Sequence, residues 1–408
     1  MSGIMSRLRA PRRRERAPGG PASGATATDR GFLAALFIGI LLLSPAGTPR
    51  PAMVGVLLLL IVLLGVALRW RVEPLIVVVL LIAGLGLRVA FIGGGFSDVL
   101  PVTGAAIDRM LDGLNPYGYG YPEAQPDGGP FVYGPLALLW YLPVHDDPRR
   151  LEFAVSLAIL GVLALRGRPI GLAVYALAPA LLTTASDGAN DTSAGLFLLI
   201  ALLVTVRLPL AGGVLLAAAV AFKPYAAAWL PPLVAWSGLG SLVAFAAGSA
   251  VFWGPAVLAW GIGPITSSVF LALQVHATSY YSLGYMLESL AGRSLPAEIF
   301  DRFRLLAGIT VALLTAPFVR SGRAVILAGT LIYVLTLFSG YWATFSYLAA
   351  VAPVICWHLD EWLDLGERRV RLPGDPIGRL TVAVDARWPV RVGRAGIGRP
   401  FAAQRPVG

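Results

Sequence analysis

Runs of apolar residues follow one another along this chain, separated by short polar breaks, at about residues 32–46, 52–69, 74–94, 131–144, 151–165, 170–185, 193–207, 211–222, 225–236, 239–260, 303–319, 324–341 and 343–358. Runs of this kind predict helices in an apolar surrounding. The expected fold class is an all-α polytopic membrane protein, a bundle of about twelve transmembrane helices. Several runs are shorter than the ~20 residues a perpendicular crossing needs, so some are expected to be half-inserted, broken or extended by their flanks.

The longest polar break, residues 95–130, has a pattern of its own. Ile107, Met110, Leu111 and Leu114 recur at helical spacing, with Asp108 and Asp112 four apart on one face. Gly113 then stops the helix and Asn115-Pro116-Tyr117 turns the chain. This predicts a short amphipathic helix over 102–112, lying on a membrane surface. Asp108 and Asp112 read as its solvated face.

Composition agrees with the pattern. Of 408 residues, 57% are hydrophobic and 13% charged, against about 25% charged in an average soluble domain. The net charge of +10 is concentrated at the ends. Residues 1–30 carry seven Arg against Glu15 and Asp29, and residues 359–408 carry nine Arg against six acids, so +5 and +3 lie in the two tails. Beside apolar runs, Arg-rich tails read as positive-inside signals rather than as nucleic-acid-binding segments. The expected organisation is a basic disordered tail at 1–30, a transmembrane catalytic domain at 31–358 and a second basic tail at 359–408. With both tails cytoplasmic and 131–144 only dipping into the bilayer, the loop 95–130, which has five acids and one Arg, faces outward from a multi-pass cell-membrane protein. The 1–30 stretch is too long and too basic for a signal-peptide n-region. The single cysteine, Cys356, excludes an internal disulfide, and His145, His276 and His358 are too scattered for a zinc cluster.

A few polar residues stand out against this background. Asp98 follows an apolar run and Gly93-Gly94-Gly95. It reads either as the cap of the next helix or as a general base at the membrane surface. Lys223 is the only lysine beside thirty-one arginines and precedes Pro224-Tyr225. It is either a snorkelling cation or a compact charge for a phosphate group. Arg88 lies inside an apolar run, where a charge needs a partner, either Asp98 or a lipid phosphate. Asp187, Asn190 and Asp191 crowd five residues ahead of another run. Capping accounts for at least one of them, and three such side chains exceed what capping needs, which leaves binding of a hydroxyl-bearing ligand as the other reading. His276, with Tyr280, Tyr281 and Tyr285, belongs to an interfacial aromatic belt or reaches the same phosphate.

The segments "SDVLPVTGAAIDRMLDGLNPY" and "FVYGPLALLWYLP" resemble the membrane glycosyltransferases of the GT-C superfamily. They are most similar to the polyprenyl-phosphomannose-dependent mannosyltransferases of glycosyltransferase family 87. Those enzymes place an Asp after an early span, then a surface helix, a Gly-x-x-Pro-Tyr turn and a Tyr-x-Pro-Leu helix start. The corresponding residues here are Asp98, the 102–112 helix, Gly113 to Tyr117, and Tyr133 to Leu136. Gly134 stands where Pro is common, a departure expected to widen the acceptor mouth. "APALLTTASDGANDTSAG" and "AFKPYAAAWLPPL" are similar to later segments, so the likeness covers roughly residues 75–345.

The resemblance implies an inverting transfer of a sugar, mannose first, from a polyprenyl-phosphate donor to a glycolipid or glycan acceptor on the outer membrane face. Asp98 would be the base, Lys223, Arg88 and His276 would hold the donor phosphate, and Tyr117, Tyr133, Asp187, Asn190 and Asp191 would meet sugar or acceptor. Membrane lipids are expected partners and nucleic acid is not. No glycine-rich nucleotide loop occurs, which suits a lipid-linked donor. No cofactor is required: the acids form no clear ligand cluster, so a divalent metal is possible without being indicated, since Lys and Arg can neutralise the leaving phosphate. The alternatives are transfer of a pentose such as arabinose, a lipid or sugar transporter or flippase, and a non-catalytic scaffold.

Overall fold

The computed structural model describes residues 56–59, 61, 74–91, 97–125, 127–166, 169–271 and 281–362. His276, Gly93 to Gly95, the basic tail 1–30 and all but the first four residues of the tail 359–408 lie outside the described residues.

Among the described residues the regular structure is helical, apart from one two-residue ladder. In order come α1 (Pro74–Ala90), α2 (Val99–Leu111), the antiparallel pair β1 (Gly120–Tyr121) and β2 (Gly129–Pro130), α3 (Pro135–Tyr141), α4 (Arg149–Arg166), α5 (Pro169–Leu177), α6 (Pro179–Asp187), α7 (Asp191–Thr205) and α8 (Pro209–Phe222). A 3₁₀ turn over Pro224–Trp229 leads to α9 (Leu230–Ser237), α10 (Leu239–Trp260), α11 (Ile262–Leu271), α12 (Leu283–Ala291), α13 (Ala297–Thr315), α14 (Gly322–Phe338) and α15 (Ser346–Trp362).

The expected bundle of twelve membrane-spanning helices is not what forms. Among the described residues, one helix is long and apolar enough to cross a membrane, α10, with 22 residues, a mean hydropathy of 1.8 and 11% burial. The multi-pass placement in a cell membrane loses its support with the bundle. The reason lies in the punctuation of the apolar runs. Proline at a helix start has no N–H to leave unpaired, but inside a helix it breaks the ladder. Pro179 therefore splits the run 170–185 into α5 and α6, of 9 residues each. Pro209 opens α8, and Lys223-Pro224 ends it after 14 residues. At 1.5 Å per residue such helices fall well short of a ~30 Å hydrocarbon layer.

The helices pack into a large core and a smaller one. In the large core, α7 lies against α8 and α15, α1 and α15 against α5, and the 3₁₀ turn against α14. Asp360, in the last turn of α15, accepts the Ile170 and Gly171 amides at 3.2 and 2.9 Å. It thereby caps α5 from a distant part of the chain. In the smaller core, the loop 97–130 closes over α3, with Tyr117, Tyr121, Phe131, Leu138 and Tyr141 buried beside Phe222.

The amphipathic helix in that loop is present and begins at Val99, ahead of the expected 102. Its buried face is Leu100, Val102, Ala106 and Ile107, while Leu111 and Leu114 are exposed. Its buried face packs on α3. Asp108 and Asp112 are solvated, as expected.

Candidate functional site

Three segments far apart in sequence are joined by backbone contacts around Asp98. The Leu100 amide donates to the Gly188 carbonyl at 2.9 Å, tying the start of α2 to the turn after α6. Gly188 has φ +95°, and a Cβ there would sit 2.9 Å from the Ser97 carbonyl oxygen. Only glycine meets both demands, a left-handed backbone and a close approach. The third segment joins at Gly134, whose amide donates to the Phe222 carbonyl at 3.3 Å. A Cβ on Gly134 would lie 2.0 Å from the Ala221 carbonyl oxygen. Gly134 is therefore a contact point between the end of α8 and the start of α3, where a widened acceptor mouth was expected. These contacts bring together Asp98, the turn before α7, and Lys223 at the end of α8.

Asp98 sits in the N-cap position of α2 but its side chain makes no capping bond. Instead Oδ2 accepts the Gln125 amide at 2.7 Å, from the far end of the same loop. Oδ1 has no partner. The carboxylate is partly buried, held by one oxygen and open at the other.

Lys223 ends α8 in an extended conformation, φ −143°, ψ 113°. Its Nζ donates to Asn190 Oδ1 at 2.6 Å and to Asp191 Oδ1 at 2.7 Å. Tyr225 Oη donates to the same Asp191 oxygen at 2.5 Å. The ammonium also lies 5.2 Å from the Tyr133 ring centroid and 5.0 Å from that of Tyr225, within cation–π range. Burial pulls the Lys223 pKa below that of an ordinary lysine, and the Asp191 charge pulls it back up. Loss of water pushes the Tyr133 phenol well above its usual range, and the charges of Asp191 and Asp98 add to the shift.

Neither Asn190 nor Asp191 caps α7 with its own side chain; both turn towards Lys223. The orphan amide of Ser193 is met by Glu152 on α4, at 3.3 Å to Oε1 and 3.1 Å to Oε2. Glu152 is fully buried and also accepts the Tyr141 hydroxyl at 2.5 Å. Sequence reading passed over Glu152 because it sits inside the apolar run 151–165. A lone carboxylate in "LEFAVSLAILGVLAL" was the available signal, since an acid there requires a partner. Tyr225, next to the Lys-Pro pair, was also missed as a member of this network.

The remaining expected residues fall elsewhere. Arg88 is 1% exposed and fully engaged: Nε donates to Ser156 Oγ at 2.7 Å, one Nη to the carbonyls of Gly84 and Ala176 at 3.1 and 3.3 Å, the other to Tyr175 O at 2.7 Å. It clamps α1 to α4 and α5, and Asp98 is not among its partners. Tyr117 is buried, with its hydroxyl on the Tyr133 carbonyl at 3.1 Å and its ring against Phe131 and Trp260. It holds the backbone of Tyr133 in place. Asp187 closes α6 one residue ahead of Gly188. His276 lies outside the described residues.

An open groove of about 320 Å³ runs along α2, lined by Leu100, Gly104, Asp108, Glu123, His145 and Asp147 among others. Among the described residues, no three His, Cys, Asp or Glu side chains are grouped to hold a metal ion. No family model, curated protein or solved structure matches this chain.

Proposed function

We propose that this chain is an inverting glycosyltransferase. It moves a sugar, mannose first, from a polyprenyl-phosphate donor to a lipid-linked or cell-envelope glycan acceptor, with Asp98 as general base. The observation that carries this reading is the state of Asp98. One carboxylate oxygen is fixed by the Gln125 amide at 2.7 Å and the other is free, beside a buried polar cluster of Asn190, Asp191 and Lys223. A base must be held in position and still have a lone pair to accept a proton. The family 87-like motifs support the same reading, because Asp98 and Tyr133 occupy the matching positions.

The chemistry follows from that placement. The acceptor hydroxyl gives its proton to the free oxygen of Asp98 as its own oxygen attacks the anomeric carbon. The bond from that carbon to the phosphate oxygen breaks, and polyprenyl phosphate leaves with the electron pair. The configuration at carbon inverts. Two surfaces suit such substrates. The groove beginning at Leu100, two residues past Asp98, gives an acceptor a polar approach. The exposed apolar side of α10, with Leu239, Val243, Val251 and Leu258, gives a prenyl chain an apolar one, and it ends at Trp260 against Tyr117.

The test is incubation of the chain with labelled polyprenyl-phosphomannose and an extract of cell-envelope glycolipids. Label moving to a glycolipid, and failing to do so with Asp98→Asn, is the expected result. Label that stays on the prenyl phosphate with every acceptor fraction removes the transferase reading and favours a carrier. Transfer only from a polyprenyl-phosphate arabinose donor changes the sugar to a pentose.

A further inference from the structure

We infer that Asn190, Asp191 and Tyr133 form a subsite for the hydroxyl groups of a sugar ring, and that Lys223 serves it as the buried counter-ion of Asp191 and not as a phosphate ligand. The inference rests on the transferase reading for the identity of the sugar's carrier, but its geometry stands separately.

The first observation is what remains unpaired. Asn190 is 0% exposed and its amide nitrogen Nδ2 has no hydrogen-bond partner. Buried amides left without partners are rare in folded proteins, and each calls for an explanation such as a missing ligand. Asp191 uses only Oδ1, shared between Lys223 and Tyr225. Its Oδ2 is a vacant acceptor. Among the described residues the Tyr133 hydroxyl makes no hydrogen bond, and its ring lies 5.2 Å from Lys223 Nζ. Among the described residues, one donor and one acceptor are thus unpaired beside a single ammonium, with the Tyr133 ring on the same ammonium.

The second observation is charge. Lys223 is already neutralised by a carboxylate at 2.7 Å, with side chains 6% and 1% exposed. A phosphate entering here would bring its charge against Asp191, and the donor's phosphodiester, ionised at its one acidic oxygen, has no proton to offer Oδ2. A hydroxyl meets both demands at once, accepting from Asn190 Nδ2 and donating to Asp191 Oδ2. The complement of this cluster is a neutral polyhydroxy ring.

The experiment measures equilibrium binding of two probes, methyl α-mannopyranoside and a sugar-free prenyl phosphate, to the full chain and to Asn190→Ala and Tyr133→Phe. Each variant removes a hydrogen-bonding group. Tyr133→Phe keeps the ring, so it reports even where Asn190→Ala fails to fold. The expected result is roughly two- to tenfold weaker glycoside binding per variant, the range for one neutral hydrogen bond, with prenyl phosphate binding unchanged. In the wild type, one of the monodeoxy mannosides should show the same loss, and in Asn190→Ala that analogue should lose nothing further. Glycoside binding unaffected by either variant, parallel weakening of both probes, or a wild type that binds no glycoside overturns the subsite. A wild type that binds glycoside through these residues but transfers no label removes the transferase reading alone. Transfer that survives together with unaltered glycoside binding in both variants removes the subsite alone.

Discussion

The Lys223 ammonium and the Asp191 carboxylate face each other at 2.7 Å, with side-chain exposures of 6% and 1%, although 32 residues separate them in sequence. Removing one partner of a buried pair leaves an uncompensated charge, which typically destabilises by about 3–5 kcal/mol. Lys223→Met is therefore expected to lower unfolding stability by that order, measured by chemical denaturation. Lys223→Met combined with Asp191→Leu should recover most of the loss, since an apolar replacement of the whole pair is often neutral. A Lys223→Met chain as stable as wild type would mean that the pair is not formed.

Asp98 is expected to behave in the opposite way. Its side chain caps nothing and meets one amide, that of Gln125. Asp98→Asn keeps the shape and an acceptor oxygen for that amide, so the folded state should be retained. Transfer should fall by about 10²–10⁴-fold, the usual range for loss of a general base. Asp108→Asn, on the solvated face of α2, should leave transfer near wild type. Labelled-donor assays on chains of equal thermal stability separate the two.

Glu152 gives the protein a pH dependence of its own. Burial raises its pKa to about 7, against the opposing effect of hydrogen bonds from Ser193 and Tyr141. A carboxyl with a raised folded-state pKa favours the fold while it is protonated. Its contribution is complete below the unfolded value of about 4.3 and is lost as pH rises towards 7. Glu152→Gln cannot ionise, so its stability relative to wild type should be greater at pH 8 than at pH 4. Unfolding midpoints at the two pH values check this, and an unchanged difference would place the Glu152 titration elsewhere.

Gly134→Ala tests the contact that joins α3 to α8. The added Cβ would stand 2.0 Å from a backbone oxygen of Ala221, which no side-chain rotation can relieve. Overpacking of this kind costs about 1–3 kcal/mol. Because Tyr133 and Lys223 flank the contact, glycoside binding should weaken along with stability. Gly161→Ala is the control: its Cβ would meet nothing within 4 Å, and in mid-helix the change should stabilise by up to about 1 kcal/mol.

Much of the site could be read from single residues that break a local pattern. Lys223 is the one lysine, Asn190 and Asp191 crowd the head of an apolar run, and Asp98 precedes a helix. Each conflicts with its apolar neighbours, and burying a polar group without a partner is costly enough that such residues must meet something. The structure brings them into one region through the contacts of Leu100 with Gly188 and of Gly134 with Phe222. Which partner each would find could not be read. Arg88 was matched with Asp98 or a phosphate, and it takes Ser156 and three carbonyls instead.

The sequence by itself determined the helical character of the chain, the polar loop 95–130 with its short helix, and the residues that would need polar company. Those properties depend on neighbours a few positions apart, through periodicity, caps and turns. Helix lengths followed from prolines that looked minor beside the apolar runs, so composition pointed to a dozen spans where, among the described residues, one helix of that length and character forms. Only the tertiary structure decided that Lys223 faces Asp191, that Glu152 caps α7 from α4, and that Asn190 keeps a buried amide unpaired. Such pairings join residues tens of positions apart. They are set by how helices cross and where their ends approach, which no local pattern encodes.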